Sequence, residues 1–245
     1  MNRPKDPKFP GFPPAALRFL SGLKRHNNRE WFQKNKHIYD QEIRRPMEEL
    51  IDVLATDLQQ IAPDMVVSRR VSIFRIYRDT RFSNDKTPYK THASATFPPK
   101  GLGKHEGAGL YFHFSPTELL IGGGLYMPQS DDLRSVREHI AENVDSFKDV
   151  LRRRSFRQVY GELAGDQLTR TPRGFAVDHP AAAYLRYKQF LAMKIMPGEV
   201  AATTQFYPTL LECFRALHPL VAFLNEPILQ KRKLKERQES LLARA

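Results

Sequence analysis

The sequence predicts an α+β fold, a mainly antiparallel sheet of four or more strands packed against N-terminal and C-terminal helices. Three observations carry this. Apolar residues recur at three- and four-residue spacing at both ends of the chain. Between residues 109 and 126 they alternate, with a turn-forming Ser115-Pro-Thr-Glu118 in the middle. The order of the elements, helices, then several strands, then helices again, lacks the regular alternation that a parallel sheet requires. Residues 1–8 read as a flexible arm, 9–229 as a single α+β domain and 230–245 as a basic C-terminal tail.

In chain order, the arm should become ordered near Phe9 and Phe12, and Pro13 and Pro14 suit a helix start, where a missing N–H costs nothing. Leu17, Leu20, Phe19 and Leu23 give that helix an apolar face, and it should stop in Arg25-His26-Asn27. Asn27 and Glu30 have the spacing of a capping box. A long helix is expected from there, with Phe32, Tyr39, Ile43, Met47, Leu50, Leu54, Leu58 and Ile61 on one stripe and Pro46 kinking or dividing it. Trp31, the only tryptophan, reads as a core anchor, with Asn28 and Asn35 as the alternative wall of a site.

The β-branched and aromatic run Val71–Arg78 predicts a strand leading into a charged loop over 79–90, and Lys90–Phe97 predicts a second. Gly109–Phe114 and Glu118–Tyr126 form the clearest hairpin. Its register puts Leu110, Phe112, Phe114, Leu119 and Ile121 on a core face. The other face shows Tyr111, His113, Leu120, Gly122, Gly124 and Tyr126, a shallow floor for a ligand or a packed helix. Ser130 and Asp131 are plausible caps for a helix through Val144, and a second helix from Phe147 leads into Arg152–Arg157. That run is either a solvated face or an anion-facing patch. Residues 161–179 look irregular, Ala181–Tyr187 helical, Phe190–Met196 extended, and Pro208–Leu224 a closing amphipathic helix.

Thirty-nine Lys and Arg against 27 Asp and Glu give a net charge of +12, which favours anionic partners without choosing among them. The last fifteen residues hold six cations and two acids, so about two thirds of the excess belongs to the rest of the chain. Cys213 is the sole cysteine and sits at an apolar helical position, so it reads as a small buried hydrophobe. It allows no intrachain disulfide and no multi-thiolate metal site, which suits a reducing compartment. Without a signal-like N-terminus or a long apolar run, the chain reads as cytoplasmic, with no membrane partner.

The densest chemistry lies in Arg75-Ile-Tyr-Arg-Asp-Thr-Arg-Phe-Ser-Asn-Asp-Lys-Thr-Pro-Tyr-Lys-Thr-His92. Arg75, Arg78, Arg81, Lys86 and Lys90 converge there with Asp85, Tyr89 and His92, and Tyr111 lies on the neighbouring hairpin. Such a strand-turn-strand device suits a small anionic ligand, a phosphate-bearing one included, because guanidinium groups hold phosphate or carboxylate bidentately. Asp79 and His113 are the candidates for proton transfer. Alternatively, Asp79 and Asp85 pair with the arginines and brace the loop. His92, His105 and His113 with the two aspartates permit a mononuclear metal site, but their spacing is not diagnostic and no metal ligand is assigned. The chain lacks a P-loop, a dinucleotide-binding glycine fingerprint, Gly-x-Ser-x-Gly and His-Glu-x-x-His, so several familiar enzyme classes lose support and no particular cofactor is implied. A nucleic-acid-binding module is the runner-up, on the charge, the Arg152–Arg157 run and the basic tail. A structural or protein-interaction domain without a ligand is the third reading.

The motif over residues 75–92, with Asn27-Asn-Arg-Glu-Trp-Phe32 and Asn35-Lys36, resembles the family called domain of unknown function 2461. The likeness spans roughly residues 9–229. It implies a mostly bacterial, intracellular single domain and brings with it no reaction and no catalytic residues.

Overall fold

The two prolines do set the first helix. In the computed structural model, which describes residues 8–81 and 83–242, α1 (Pro14–Arg25) starts where no intrahelical N–H is needed. It buries Phe19, Leu20 and Leu23 on one face. Residues 1–7 of the predicted arm and 243–245 of the predicted tail lie outside the described residues. α2 (Arg29–Tyr39) is capped by Asn28, whose side-chain oxygen accepts from the Trp31 N–H at 2.9 Å, so the cap falls one residue later than the capping-box spacing suggests. Asn35 donates to the Trp31 carbonyl within the same helix, at 2.8 Å, so one amide group of each of Asn28 and Asn35 serves the helix itself. Trp31 is the expected anchor, 5.4 Å from the Phe19 ring and seated over Gly22, where a Cβ would come within 2.8 Å of its ring.

Pro46 divides the long helix through a π turn, Asp40–Arg44, after which α3 (Arg45–Ile61) carries Pro46 in its first turn. The widened turn takes up the register change that a residue without an N–H imposes.

The strand predicted over Val71–Arg78 does not form as one. Arg69–Ser72 is a single helical turn, α4, because Ser68 Oγ accepts from the Val71 N–H and Ser72 Oγ from the Ser68 N–H, each at 3.2 Å. These local serine bonds compete with a ladder and outweigh the β propensity of Val71 and Ile73. Beyond them, residues 73–78 run beside 88–95 through two isolated bridges, Ile73 with Ala95 and Tyr77 with Tyr89. Three residues separate the bridges on one side and five on the other, so a continuous ladder cannot close. The second predicted strand correspondingly shortens to β1 (Ala93–Phe97).

β1 pairs in an antiparallel sheet of order β1-β2-β3-β4 with β2 (Gly109–Phe114), β3 (Glu118–Leu125) and β4 (Phe190–Pro197). The predicted β-turn closes the β2–β3 hairpin, with the Ser115 N–H donating to the Glu118 carbonyl at 2.8 Å. The chain clusters into two compact units. One is built from the segment ending at Phe97 with Tyr111–Ile121 and Lys194–Phe214, the other from Pro98–Leu110, Gly122–Met193 and the chain from Arg215.

In the first unit the predicted core face of the hairpin is correct: Phe112, Phe114, Leu119 and Ile121 are fully buried. Phe12 stacks on Phe114 at 4.1 Å, and Phe206 meets Phe112 at 5.7 Å. Phe214 meets Phe97 edge-on at 5.4 Å. Phe9 and Phe12 are both buried, as expected of the point where the chain becomes ordered.

In the second unit the glycines of the supposed floor are filled by chain. A Cβ on Gly122 would lie 2.3 Å from the Ala192 carbonyl oxygen and one on Gly124 2.0 Å from that of Phe190, so the backbone of β4 occupies the space. Helices α5 (Ser130–Glu142), α6 (Val144–Arg152), α7 (Arg154–Tyr160) and α8 (Ala182–Leu185) lie in the regions predicted helical, but Ser130 and Asp131 fall inside α5 and do not cap it, the boundary between α5 and α6 falls at Asn143 ahead of Val144, and a break at Arg153 separates α6 from α7. The closing helix, α9 (Phe206–Leu242), buries Cys213 and runs well past Leu224. In its basic stretch Arg232 with Glu236 and Lys235 with Glu239 are pairs four residues apart, a spacing that supports a helix. Arg232 also reaches Glu106 and Lys231 reaches Asp132, so part of the tail's charge is paired. Among the described residues no helix is long and apolar enough to cross a membrane.

Gly124 has φ +116°, which combines a backbone strained for any other residue with a steric overlap. Gly124→Ala should destabilise the fold by at least ~3 kcal/mol. Gly174→Ala, also at positive φ but with nothing within 4 Å of its Cβ, should cost only about 1 kcal/mol. Urea unfolding of the two variants checks this, and equal losses would refute the overlap.

Candidate functional site

The polar stretch from Arg75 to His92 is tied to the junction of α1 and α2 by one side chain. Asn27 Nδ2 donates to the Tyr89 carbonyl at 2.9 Å, and its Oδ1 accepts from the Tyr89 N–H at 3.1 Å. Asn27 therefore serves the motif and not the helix cap. The two sides of the motif are joined by the Arg78 N–H to the Pro88 carbonyl (2.9 Å) and the Lys90 N–H to the Ile76 carbonyl (2.8 Å). Tyr89 is 2% exposed, with its ring stacked 4.1 Å from Phe32, so it anchors the motif in the core.

Much of the motif's charge is spent at its tip. Arg78 binds Asp85 and Thr87 through Nη1 and Ser83 through Nη2, the last at 3.4 Å. The Thr87 N–H donates to Asp85 at 2.9 Å, and this bond together with Arg78 holds the Asp85 carboxyl at about 2. Arg81 forks onto Asp79 at 3.0 and 2.7 Å, which likewise brings the Asp79 carboxyl to about 2. Asp79 thus stays ionised near neutral pH. Lys86 donates to the Thr80 carbonyl at 2.9 Å. Asp79 and Asp85 make the bracing pairs that the residue types offered. Being exposed, these pairs shape the turn more than they stabilise it.

Beside this turn lies a cleft of about 300 Å³, lined by Arg29, Gln33, Tyr77, Arg78, Thr80, Pro88 and Tyr89. Arg29 and Gln33 are four residues apart on α2 and so share a helix face. Arg29 is exposed, and its side chain makes no hydrogen bond or ion pair among the described residues. Tyr77, 46% exposed, offers a ring to the cleft while touching Phe32 and Tyr89. Sequence reasoning missed Arg29 and Gln33. The only signal was a polar pair at helical spacing opposite the apolar stripe, and nothing local brings that pair to residue 78.

The remaining candidates gather elsewhere in the same unit. Lys90 sits 4.7 Å over the Phe74 ring, and burial, then the charge of Arg75, lower its pKa. His92 lies 5.1 Å from the His113 ring. His113 Nε2 is 3.0 Å from Glu118 Oε1, and its Nδ1 is 3.2 Å from the Tyr111 hydroxyl. Because a carboxylate only accepts, Nε2 carries the proton, and in the neutral ring Nδ1 accepts from Tyr111. Tyr111, His113 and Glu118 thus form a chain able to take a proton from the tyrosine and hold the resulting imidazolium against a carboxylate.

His92 has no such partner. Burial, then the neighbouring His113 and Lys90, lower its pKa to about 4. With Tyr39 and Phe74 it lines a void of only about 10 Å³, which explains the desolvation and leaves no room for a ligand. The Tyr39 hydroxyl is pushed up to about 12 by the same burial. Among the described residues no group of three or more His, Cys, Asp or Glu is arranged to hold a metal ion.

The profile of a family of conserved hypothetical proteins, DUF2461, matches residues 15–223. The chain belongs to this family. The matched span includes Asn27, the whole motif and the hairpin carrying His113, so both the cleft and the hydrogen-bonded Tyr111, His113 and Glu118 are part of the DUF2461 domain. No curated protein and no solved structure matches the chain.

Asn27→Ala should remove both bonds to Tyr89 and cost about 2 kcal/mol in denaturant unfolding, twice the usual hydrogen-bond contribution. For His92, the unfolded imidazole takes up a proton near its ordinary 6.5, whereas the folded one resists until about 4. Its contribution to stability is therefore complete above about 6.5 and lost as pH falls toward 4. His92→Asn should flatten the decline in melting temperature across that window. A folded-state NMR titration of His92 with a midpoint near 6.5 would contradict the assignment.

Proposed function

We propose that this protein binds a small anionic ligand, carrying phosphate or carboxylate, in the cleft beside the Arg75–His92 motif. Arg29 carries the reading: a guanidinium with no acidic partner among the described residues lines a concave site that Arg78 also lines. The pairing of Arg78 with Asp85 holds its side chain in place, and it keeps further N–H donors. Gln33 and the Thr80 segment add neutral hydrogen-bonding groups, and Tyr77 a flat apolar wall. Each charge-assisted hydrogen bond is worth roughly 1.5–3 kcal/mol, so two or three support millimolar to micromolar affinity after the costs of binding. The reading assigns binding and no reaction. We place the protein in the cytoplasm on its single buried cysteine, which suits a reducing compartment.

Calorimetric titration with phosphate, pyrophosphate and citrate tests the proposal in the intact protein. Arg29→Gln should weaken binding roughly tenfold, the loss of one charge-assisted bond. Its melting temperature should not change, because Arg29 is exposed. The proposal fails if the folded wild type binds none of the three anions, or if Arg29→Gln binds as tightly as wild type.

A further inference from the structure

The second unit has a concave basic surface of its own. Lys148 and Arg152 from α6, Arg157 from α7, Tyr184 from α8 and Tyr187 just beyond it line a cavity of about 430 Å³. Leu151 and Leu163 contribute apolar wall, and Glu162 is the one carboxylate residue in the lining. The side chains of Lys148, Arg152 and Arg157 make no ion pair or hydrogen bond among the described residues, in contrast to Arg78 and Arg81 in the motif. A basic run on a solvated helix face usually pairs with acids four residues away or points into bulk water. Here the break at Arg153 turns the chain between α6 and α7, so cations from both line one hollow.

The tyrosines are held in place. Tyr184 meets Phe147 edge-on at 5.1 Å, and Tyr187 lies 5.7 Å from Phe190. The Tyr187 hydroxyl donates to the Leu163 carbonyl at 3.4 Å, and the Tyr187 carbonyl accepts from Arg137 Nη2 at 2.8 Å. Arg137 Nε is buried without a hydrogen-bond partner, and among the described residues this guanidinium makes no ion pair, so it adds positive charge behind Tyr187. Three lining cations against one acid select a multiply charged anion, and pre-positioned tyrosine rings favour a flat ring attached to it. The volume matches a ligand of a few hundred Å³.

We propose that this cavity binds a nucleotide, its phosphate taken by Lys148, Arg152 and Arg157 and its base set against the tyrosine rings. The same chemistry is offered by a free mononucleotide and by a nucleotide within a single strand, where base stacking on aromatics and cation contacts to phosphate are also the binding terms. The inference does not depend on the cleft of the first unit.

Titration of the full chain with adenosine 5′-monophosphate, ribose 5-phosphate and an oligothymidylate, followed by calorimetry, decides it. Wild type should bind the mononucleotide more tightly than ribose 5-phosphate. The double variant Arg152→Gln/Arg157→Gln, at exposed positions and expected to keep the wild-type melting temperature, should bind it at least tenfold more weakly. The two proteins are compared in the Arg29→Gln background, so that anion binding in the cleft of the first unit does not contribute. Oligothymidylate binding that is weakened by the double variant identifies a strand as the source, and oligothymidylate binding that is insensitive to it leaves the free nucleotide. The proposal is overturned if folded wild type does not bind the mononucleotide, if the double variant binds it equally well, or if ribose 5-phosphate binds as tightly.

Discussion

An asparagine side chain presents the same donor and acceptor as a peptide group, and Asn27 turns both on the backbone of Tyr89. That one contact joins residues 62 positions apart and sets where the motif stands relative to α2. The cleft follows from it. Arg29 and Gln33 come from just beyond Asn27, and Tyr77 and Arg78 come from the strand segment bridged to Tyr89. The second unit repeats the device. Asn225, 2% exposed, donates to the Ala108 carbonyl at 2.9 Å and accepts from its N–H at 2.7 Å, holding a loop against α9. In both places a loop whose backbone groups have no ladder to join is satisfied by a side chain acting as a surrogate strand.

Charge density in the sequence and free charge in the fold are different quantities. The motif is the densest polar stretch in the chain, yet Arg78 and Arg81 face Asp85 and Asp79 across the turn, and Lys86 caps a carbonyl. Among the described residues, cations without an ion pair line two concave sites outside the turn: Arg29 at the start of a helix, and Lys148, Arg152 and Arg157 around a break between helices. Pairing within a turn is decided by the turn's own geometry. Pairing across segments depends on which carboxylates the fold brings near, and around these four it brings few.

His92 and His113 show how one residue type takes two characters within about 5 Å. His113 is hydrogen-bonded at both nitrogens, to a carboxylate and to a tyrosine hydroxyl. His92 is pressed into a void with no hydrogen-bonding partner of that kind, and the nearby imidazole and ammonium groups further oppose its charging.

What the sequence by itself determined is local: the proline-started first helix, the apolar stripe through Ile61, the β2–β3 hairpin with its inward phenylalanines, and the burial of Cys213. Each is written in a period of 2 or 3.6 residues and in turn residues a few positions apart, and such patterns report which face of an element is wet. Tertiary structure decided the rest. Val71–Arg78 has the composition of a strand but lost its ladder to two serine bonds and an unequal register, and the glycine floor was claimed by the backbone of β4. Asn27 looked like a helix cap because its spacing from Glu30 fits one, while its real partner lies beyond the next three helices in the chain. The cleft is made by residues almost fifty positions apart, and no local period encodes such a meeting.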